Sequence, residues 1–401
     1  MRILMINSVA ASGSTAMICR TLSEKLCAHG VEVVIAYGRG ADAPEFETHR
    51  IGSDADVYAH GLRTRLLDAH GFGSRRATEK FVKWMEDFNP DLIHLHNIHG
   101  YYLHIDVLFR ALQKMNKPII WTLHDCWAFT GHCAHFSSIG CDKWLSGCHH
   151  CGLKGNYPAS LLRDRSAQNY QMKKQLFTLP RNMTLVAPSA WLAGEVNRSF
   201  MGNYPVRTIY HGINTAVFHP APSHIREEHG LAGKKIALAV ASVWNESKGL
   251  PEMLSLAEYL GQNWQVVLVG QLPGRMPPIP ANVTCVPKTE DTSVLAAWYC
   301  AADVFVNPTH GDTFPTTNLE AQACGTPVVT FPAGGSPEGV YPPLRQELVC
   351  PDFTVQSLGR CVCRAACFSP VQRQKIAAWT AESFASDVFA EVYYRLYQSL
   401  L

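Results

Sequence analysis

The chain has 401 residues, too many for one compact α/β layer and comfortable for two domains of about 200 residues each. Its hydrophobic fraction of 47% and charged fraction of 17% describe a globular protein with large cores, and a formal net charge of +2 supplies no basic stripe, which argues against nucleic acid as a partner. No run of about 18 apolar residues occurs, which excludes a spanning helix; the apolar start meets Asn7 and Ser8 too soon for a signal peptide, so a cytoplasmic location is expected.

Short apolar runs then alternate with helical spacing. Candidate buried strands lie at 3–6, 31–36, 92–95, 119–123 and 184–187. Amphipathic segments follow them, such as 15–29, where Met17, Ile18, Leu22 and Leu26 recur on one face. Continuous Val, Ile and Leu runs separated by helices predict parallel strands covered on both faces. The pattern restarts after 202–206, with strands at 236–241, 265–269, 283–286, 304–307 and 328–331 and helices at 250–260, 293–302 and 318–324. Two successive doubly wound units fit this better than one large sheet. The proline-rich piece 273–280 reads as a surface loop. A final helical stretch, 381–401, carries Phe384, Val388, Phe389, Val392, Tyr393, Leu396 and Tyr397, an apolar stripe that must pack on something. Of the fourteen cysteines most are scattered singly (Cys19, Cys27, Cys285, Cys300, Cys324) and read as small core residues rather than a disulfide framework.

The most informative segment runs from Pro308 to Val329. A strand ends, a Gly/Pro loop follows and a helix begins, which places a ligand site at the carboxyl end of a parallel strand. Amides from Phe314 through Thr316 and Thr317 to Asn318 would face an anion, helped by the helix dipole. Asp312 and Glu320 would flank it with carboxylates suited to sugar hydroxyls. A capping box between Thr317 and Glu320 is an equal alternative on spacing alone.

This segment resembles the signature of the retaining glycosyltransferases of family 4, which have the two-domain GT-B fold. That signature ends in Glu-Ala-x-Ala-x-Gly-x-Pro-Val. Asp312, Glu320, Ala321, Ala323, Gly325, Pro327 and Val328 match it in register, with Asp312 where Glu is usual. By the resemblance, Asp312 and the loop amides hold the donor hexose and Glu320 holds the nucleotide ribose. Residues 240–249 resemble the family's diphosphate-binding segment: Lys248 and Gly249 match, while Val243 occupies the position of an Arg. Residues 210–220 resemble the Pro-Asn-Gly-Val-Asp element, with His211 where Asn is usual, and Gly335-Ser336-Pro337-Glu338 resembles the Gly-Gly-x-Pro-Glu turn.

In the first half, the loop after the first strand has one glycine, Gly13, at the place of a phosphate-binding turn. It lacks the G-x-G-x-x-G pattern of a nicotinamide enzyme. The family likeness makes Gly13 a donor-site candidate; a plain strand-to-helix turn is the alternative. His124 ends another strand and, by the resemblance, faces the donor sugar. Alternation along 91–96 is read as sending His94 and His96 opposite ways, with His96, nearer the strand end, on the acceptor side. A cysteine-rich stretch follows: Cys126, Cys133, Cys141, Cys148 and Cys151. The knuckle Cys148-His149-His150-Cys151, completed by Cys133 and Cys141, fits four thiolates around a structural zinc ion. His132, His135, His149 and His150 compete as ligands, and reduced or partly paired thiols are the alternative. Residues 121–158 resemble a subgroup making bacterial exopolysaccharides, such as colanic-acid glycosyltransferases. Residues 62–85 are basic and carry Leu66, Leu67, Phe72, Phe81 and Trp84. They read as an ordinary solvated helix face or as a peripheral inner-membrane contact near lipid-linked acceptors.

The expectation is therefore an α/β protein of GT-B type, with two Rossmann-like doubly wound domains facing a central cleft. An acceptor domain would cover 1–203 with a Cys-rich insertion at 126–151, a nucleotide-sugar domain 204–375, and a helix within 376–401 would cross back to the first domain. The resemblance implies transfer of a hexosyl group from a nucleotide-diphosphate sugar to a glycan or lipid-linked oligosaccharide, with retention and without a catalytic cofactor or metal. His124 and Asp312 are the expected catalytic residues. A sugar-nucleotide epimerase or hydrolase of the same fold, and a non-catalytic zinc-bearing binding protein, are the alternatives.

Overall fold

Buried apolar runs become the strands of two parallel sheets. The computed structural model describes residues 1–289 and 291–401, which divide into two units: residues 1–210 with 389–401, and residues 211–388. The first unit holds β1 (Arg2–Val9), β2 (Glu32–Arg39), β3 (Glu47–Arg50), β4 (Leu92–Leu95), β5 (Ile119–Thr122), β6 (Met183–Ala187) and β7 (Val206–Thr208). Their spatial order is β3-β2-β1-β4-β5-β6-β7, all pairs parallel. In β1, Ile3 stands opposite Val33 on one side and Leu92 on the other. Residues Ile3, Leu4, Met5 and Ile6 are wholly buried, and each such side chain contributes about 1.5–3 kcal/mol by leaving water. These four form an unbroken apolar run; Asn7 and Ser8, towards the strand's carboxyl end, are buried as well, and the Asn7 side chain donates to Val9 O at 2.9 Å.

The second unit repeats the plan with β8 (Lys235–Val243), β9 (Trp264–Gln271), β10 (Val283–Val286), β11 (Val304–Asn307) and β12 (Val328–Thr330), in the order β10-β9-β8-β11-β12. All of these pairs are parallel too. In both sheets the order reverses once, between β1 and β4 and between β8 and β11.

The end of the chain corrects one expectation. The stretch 381–401 is not one helix: a helix Pro370–Phe384 ends, Ala385 is extended, and a second helix runs Ser386–Leu400. Ala385 pairs with Ile213 as a short parallel bridge, with Ile213 N–H donating to Phe384 O and Ser386 N–H to Ile213 O, each at 2.8 Å. The apolar stripe is divided accordingly. Phe384 packs against Phe314 and Trp379 in the second unit. From Phe389 onward the chain belongs to the first unit, where Phe389, Tyr393 and Tyr397 join Ile3, Met5, Ile18 and Leu22 in one cluster. Val388 and Val392 face solvent.

Residues 62–85 also fall on two helices, Asp54–Leu67 and Arg75–Phe88. Phe72 and Phe81 are core residues, and Trp84 stacks on His49 and Phe88. Most of the apolar side expected there is thus spent inside the unit. Among the described residues no helix is long and apolar enough to cross a membrane.

Candidate active site

Doubly wound sheets bind ligands beyond the carboxyl ends of their strands, where the strand order reverses. In the second unit that point lies between β8 and β11. After β8, the Asn245 side chain accepts from the Lys248 amide at 3.0 Å and shapes a 3-10 turn, Glu246–Lys248. Gly249 follows with φ 78°, and a Cβ there would stand 2.3 Å from the Pro308 carbonyl oxygen. Glycine alone lets the loop after β8 close on the loop after β11. Gly334, beyond β12, is equally constrained: its Cβ would lie 2.1 Å from the Asp312 carbonyl oxygen. These approaches bring Lys248 Nζ to 2.9 Å from Asp312 Oδ2, although the two are 64 positions apart in the chain.

Glu320 projects from the helix Thr316–Ala323 and accepts a hydrogen bond from the Tyr299 hydroxyl at 3.0 Å. Burial of its carboxyl pushes it up to about 7, while the hydrogen bonds from Tyr299 and the Thr316 side chain pull the other way. That helix begins after Pro315 without a side-chain cap, so Thr317 and Glu320 form no capping box. The amides of Thr316 and Thr317 therefore have no intrahelical acceptor. Phe314 is buried, and its amide donates to Asp312 Oδ1 at 3.3 Å. Asn318 is wholly buried; its side chain accepts from Asn307 Nδ2 at 2.8 Å and donates to Ser336 O, and its amide donates to Pro315 O. His211 lies buried nearby, its imidazole pushed down to about 4 by burial, with Asp312 acting in the opposite sense. Val243 is exposed at the end of β8.

In the first unit the reversal lies between β1 and β4. Gly13 follows β1 with φ 92° and precedes the helix Ser14–Ala28. His96 and His124 follow β4 and β5, with His96 Nδ1 3.1 Å from His124 Nε2. The expectation that His94 and His96 point opposite ways is corrected. Residues two apart on a strand share a face, and their ring centroids are 4.0 Å apart. His94 is a structural residue: Nδ1 meets the Tyr397 hydroxyl at 2.7 Å and Nε2 the Thr122 hydroxyl at 2.8 Å.

The sequence did not single out His99 and Asp125. Here His99 Nε2 lies 2.9 Å from Asp125 Oδ2, and His99 Nδ1 lies 3.2 Å from the Tyr157 hydroxyl. Burial raises the Asp125 carboxyl, but His99 and the Trp127 amide outweigh it and hold the group below the usual carboxylate range. Only its place just past a strand end could have flagged Asp125. A separate open depression of about 430 Å³, lined by Leu67, Arg163, Asp164, Arg165 and Gln168, contains none of the residues above.

The four cysteines Cys133, Cys141, Cys148 and Cys151 line one small cavity of about 20 Å³. Among the described residues all fourteen cysteines are free thiols, and no three His, Cys, Asp or Glu side chains are already grouped as a metal site.

Comparison with known proteins gives the family and the fold. Residues 15–217 match the family model Glycosyltransferase Family 4, and residues 234–366 match Glycosyl transferases group 1. The chain is 27% identical over 348 residues to the putative colanic acid biosynthesis glycosyl transferase WcaC of Escherichia coli K12, covering 82% of each chain. It is 30% identical over 145 residues to a D-inositol 3-phosphate glycosyltransferase of Pseudarthrobacter chlorophenolicus, over 32% of this chain and 34% of that one. In fold it is similar to sucrose-phosphate synthase of Thermosynechococcus elongatus, with TM-score 0.75 and 19% identity, covering 100% and 98% of the two chains. It is similar also to Anabaena HepE in complex with UDP and glucose, with TM-score 0.68 and 15% identity over the whole of both. Both structures are GT-B glycosyltransferases, and the likeness to them is one of fold.

Proposed function

The chain belongs to glycosyltransferase family 4, and we propose that it moves a hexosyl group from a nucleotide-diphosphate sugar to a hydroxyl of a glycan or lipid-linked glycan, with retention. The observation that carries this reading is the Lys248–Asp312 pair, 2.9 Å apart at the strand-order reversal of the second unit. A diphosphate there would take the Lys248 ammonium and the first-turn amides of the helix Thr316–Ala323. Asp312 would then be released to accept from sugar hydroxyls. Positive charge aimed at the departing diphosphate does most to lower the barrier of such a reaction, and these groups supply it without a catalytic metal. Glu320, with Tyr299 behind it, would accept from the ribose hydroxyls. Gly13 would leave room for a phosphate, His124 would position the donor sugar, and His96, 3.1 Å from His124, would lie on the acceptor side.

The likeness to WcaC supports a step of bacterial surface polysaccharide synthesis; a cytoplasmic location and an acceptor at the inner face of the membrane are further parts of this proposal. The test is a thermal-shift panel of nucleotide sugars, since a ligand that binds only the folded state raises the melting temperature. It is followed by NMR of the anomeric proton in the product. One donor should stabilise the protein and yield a glycoside of unchanged configuration. Donor turnover without any acceptor would instead favour the hydrolase or epimerase reading.

A further inference from the structure

The cysteine-rich insertion takes no part in the reaction just described. Between Asp125 and Arg165 the chain has no strand and no α-helix, only 3-10 turns at Trp127–Phe129, Ser137–Ile139 and Lys143–Leu145. Such a segment must be tied down by side chains. Part of the tie is visible. The wholly buried Lys173 donates to Trp127 O at 2.7 Å and Thr130 O at 3.1 Å, and its ammonium stands 3.5 Å from the centre of the Trp127 ring. His132 Nδ1 pairs with buried Asp68 at 2.6 Å. Trp144 packs on Phe129 and Phe136. Beside these contacts the four thiols Cys133, Cys141, Cys148 and Cys151 converge on the small cavity, although 18 positions separate the first from the last.

We propose that Cys133, Cys141, Cys148 and Cys151 bind one structural zinc ion as a tetrathiolate, releasing their protons to solvent and cross-linking the insertion that follows His124 and Asp125. The ligand set is the one zinc selects for closed structural sites, and Cys148-x-x-Cys151 supplies its knuckle. Four thiolates around Zn²⁺ leave two negative charges in a half-buried place, and the surroundings are built to offset them. Lys143 lines the same cavity, Lys173 donates to the carbonyl of Thr130 in its lining at 3.1 Å, and the Gly131 amide donates to Cys148 Sγ at 3.2 Å. Donors to the ligand sulfur of this kind orient and stabilise metal-bound thiolates. Among the described residues no three such side chains are placed to hold a metal ion, so binding would have to draw the four thiols together at the cavity that they line. His149 and His150 are exposed, with their Nδ1 atoms facing one another at 3.2 Å, whereas His132 lines the cavity and is held through Nδ1 by Asp68, which makes its Nε2 the competing imidazole ligand.

The test uses the full chain, purified under reducing conditions from zinc-supplemented medium. Elemental analysis should find about one zinc per chain, and titration of the thiols with a mercurial should release it. Cobalt(II) in place of zinc should give the sulfur-to-metal charge-transfer bands and strong visible bands of a tetrahedral tetrathiolate. Cys133→Ser and Cys148→Ser should each lower zinc content about tenfold or more, whereas the double variant His149→Ala/His150→Ala should keep it. If the serine variants fail to fold, the cobalt spectrum of the unaltered chain decides the ligand set. Folded, metal-free protein that takes up neither ion would overturn the proposal. So would a Cys133–Cys151 disulfide in protein taken directly from a reducing cytoplasm, or zinc retained in the serine variants.

Discussion

Lys248 and Asp312 neutralise one another at 2.9 Å, and both are partly open to solvent. An ion pair in that setting is worth only about 0–1 kcal/mol, so trading it for a diphosphate costs little. Asp312 is one methylene shorter than the usual glutamate, and at this length its oxygen sits on the lysine. Lys248→Ala should therefore weaken binding of the preferred nucleotide sugar about tenfold, the scale of one lost charge-assisted hydrogen bond, with the fold unchanged by circular dichroism. Unchanged affinity by calorimetry would remove Lys248 from the site. Glu320 gives a pH signature. Its carboxyl stands at about 7 against an ordinary 4.5, so the folded state binds the proton more tightly than the unfolded chain does. Its contribution to stability is full below the ordinary value and is lost as pH rises towards 7. Glu320→Gln should remove that slope, so its melting temperature should gain on the parent between about pH 5 and pH 8. Donor affinity has the opposite trend. Ribose hydroxyls need the ionised carboxylate, so the parent should bind a nucleotide sugar more tightly as pH rises through 7, and Glu320→Gln should bind weakly at every pH. The diphosphate of a nucleotide sugar stays fully ionised over this range and adds no slope of its own.

At the scale of elements, His94, Thr122, Tyr393 and Tyr397 form a buried relay that fixes the helix Ser386–Leu400 onto β4 and β5. Tyr393 meets Thr122 at 2.7 Å, and His94 bridges Thr122 and Tyr397. Tyr397→Phe would leave a buried His94 nitrogen without its partner, which costs about 1–3 kcal/mol. Calorimetry should show a clear fall in melting temperature. Tyr394→Phe should stay within about 0.5 kcal/mol of the parent, because Tyr394 makes a stacked contact with His29 that survives loss of the hydroxyl. Elements of this kind show what was legible in the sequence. The runs at 92–95, 283–286 and 304–307 are β4, β10 and β11 to the residue: β4 and β11 lie inside their sheets and are mostly buried, while β10, a half-buried edge strand, still shows Val283, Cys285 and Val286. The edge strands β3, Glu-Thr-His-Arg, and β7, Val-Arg-Thr, escaped notice, since an exposed edge needs no apolar signal. Ala385 escaped too: nothing local marks a helix break whose cause is a bridge to Ile213, far away in the chain. Lys248, Asp312 and Glu320 stood out through their places in a pattern, but their pairing did not. Contacts such as Lys248–Asp312 and His99–Asp125 arise from topology, which brings strand ends together irrespective of sequence distance.

At the scale of the whole molecule, the last helix belongs to the first unit from Phe389 onward, although the second unit precedes it in the chain. The first unit is therefore incomplete without residues 389–401. Phe389, Tyr393 and Tyr397 are almost wholly buried, and they cover Ile3, Met5, Ile18 and Leu22. Ending the chain at Ser386 keeps both hydrogen bonds of the Ile213–Ala385 bridge and every proposed donor-site residue of the second unit. It uncovers the apolar face of the first sheet and leaves His94 and Thr122 without their tyrosine partners. The two units should then respond differently. Soluble yield should fall, and the remaining soluble protein should bind a hydrophobic dye that the full chain excludes, because an apolar patch of this extent does not stay free in water. Donor affinity should remain within about threefold of the full chain, since the Lys248–Asp312 and Tyr299–Glu320 hydrogen bonds involve no deleted residue. Transfer to an acceptor should drop far more, because His96 and His124 rest on the strand ends that the helix braces. Calorimetry with the nucleotide sugar and a transfer assay on the same truncated sample separate these outcomes. Equal losses of donor binding and transfer would show that the second unit does not hold its site independently of that helix.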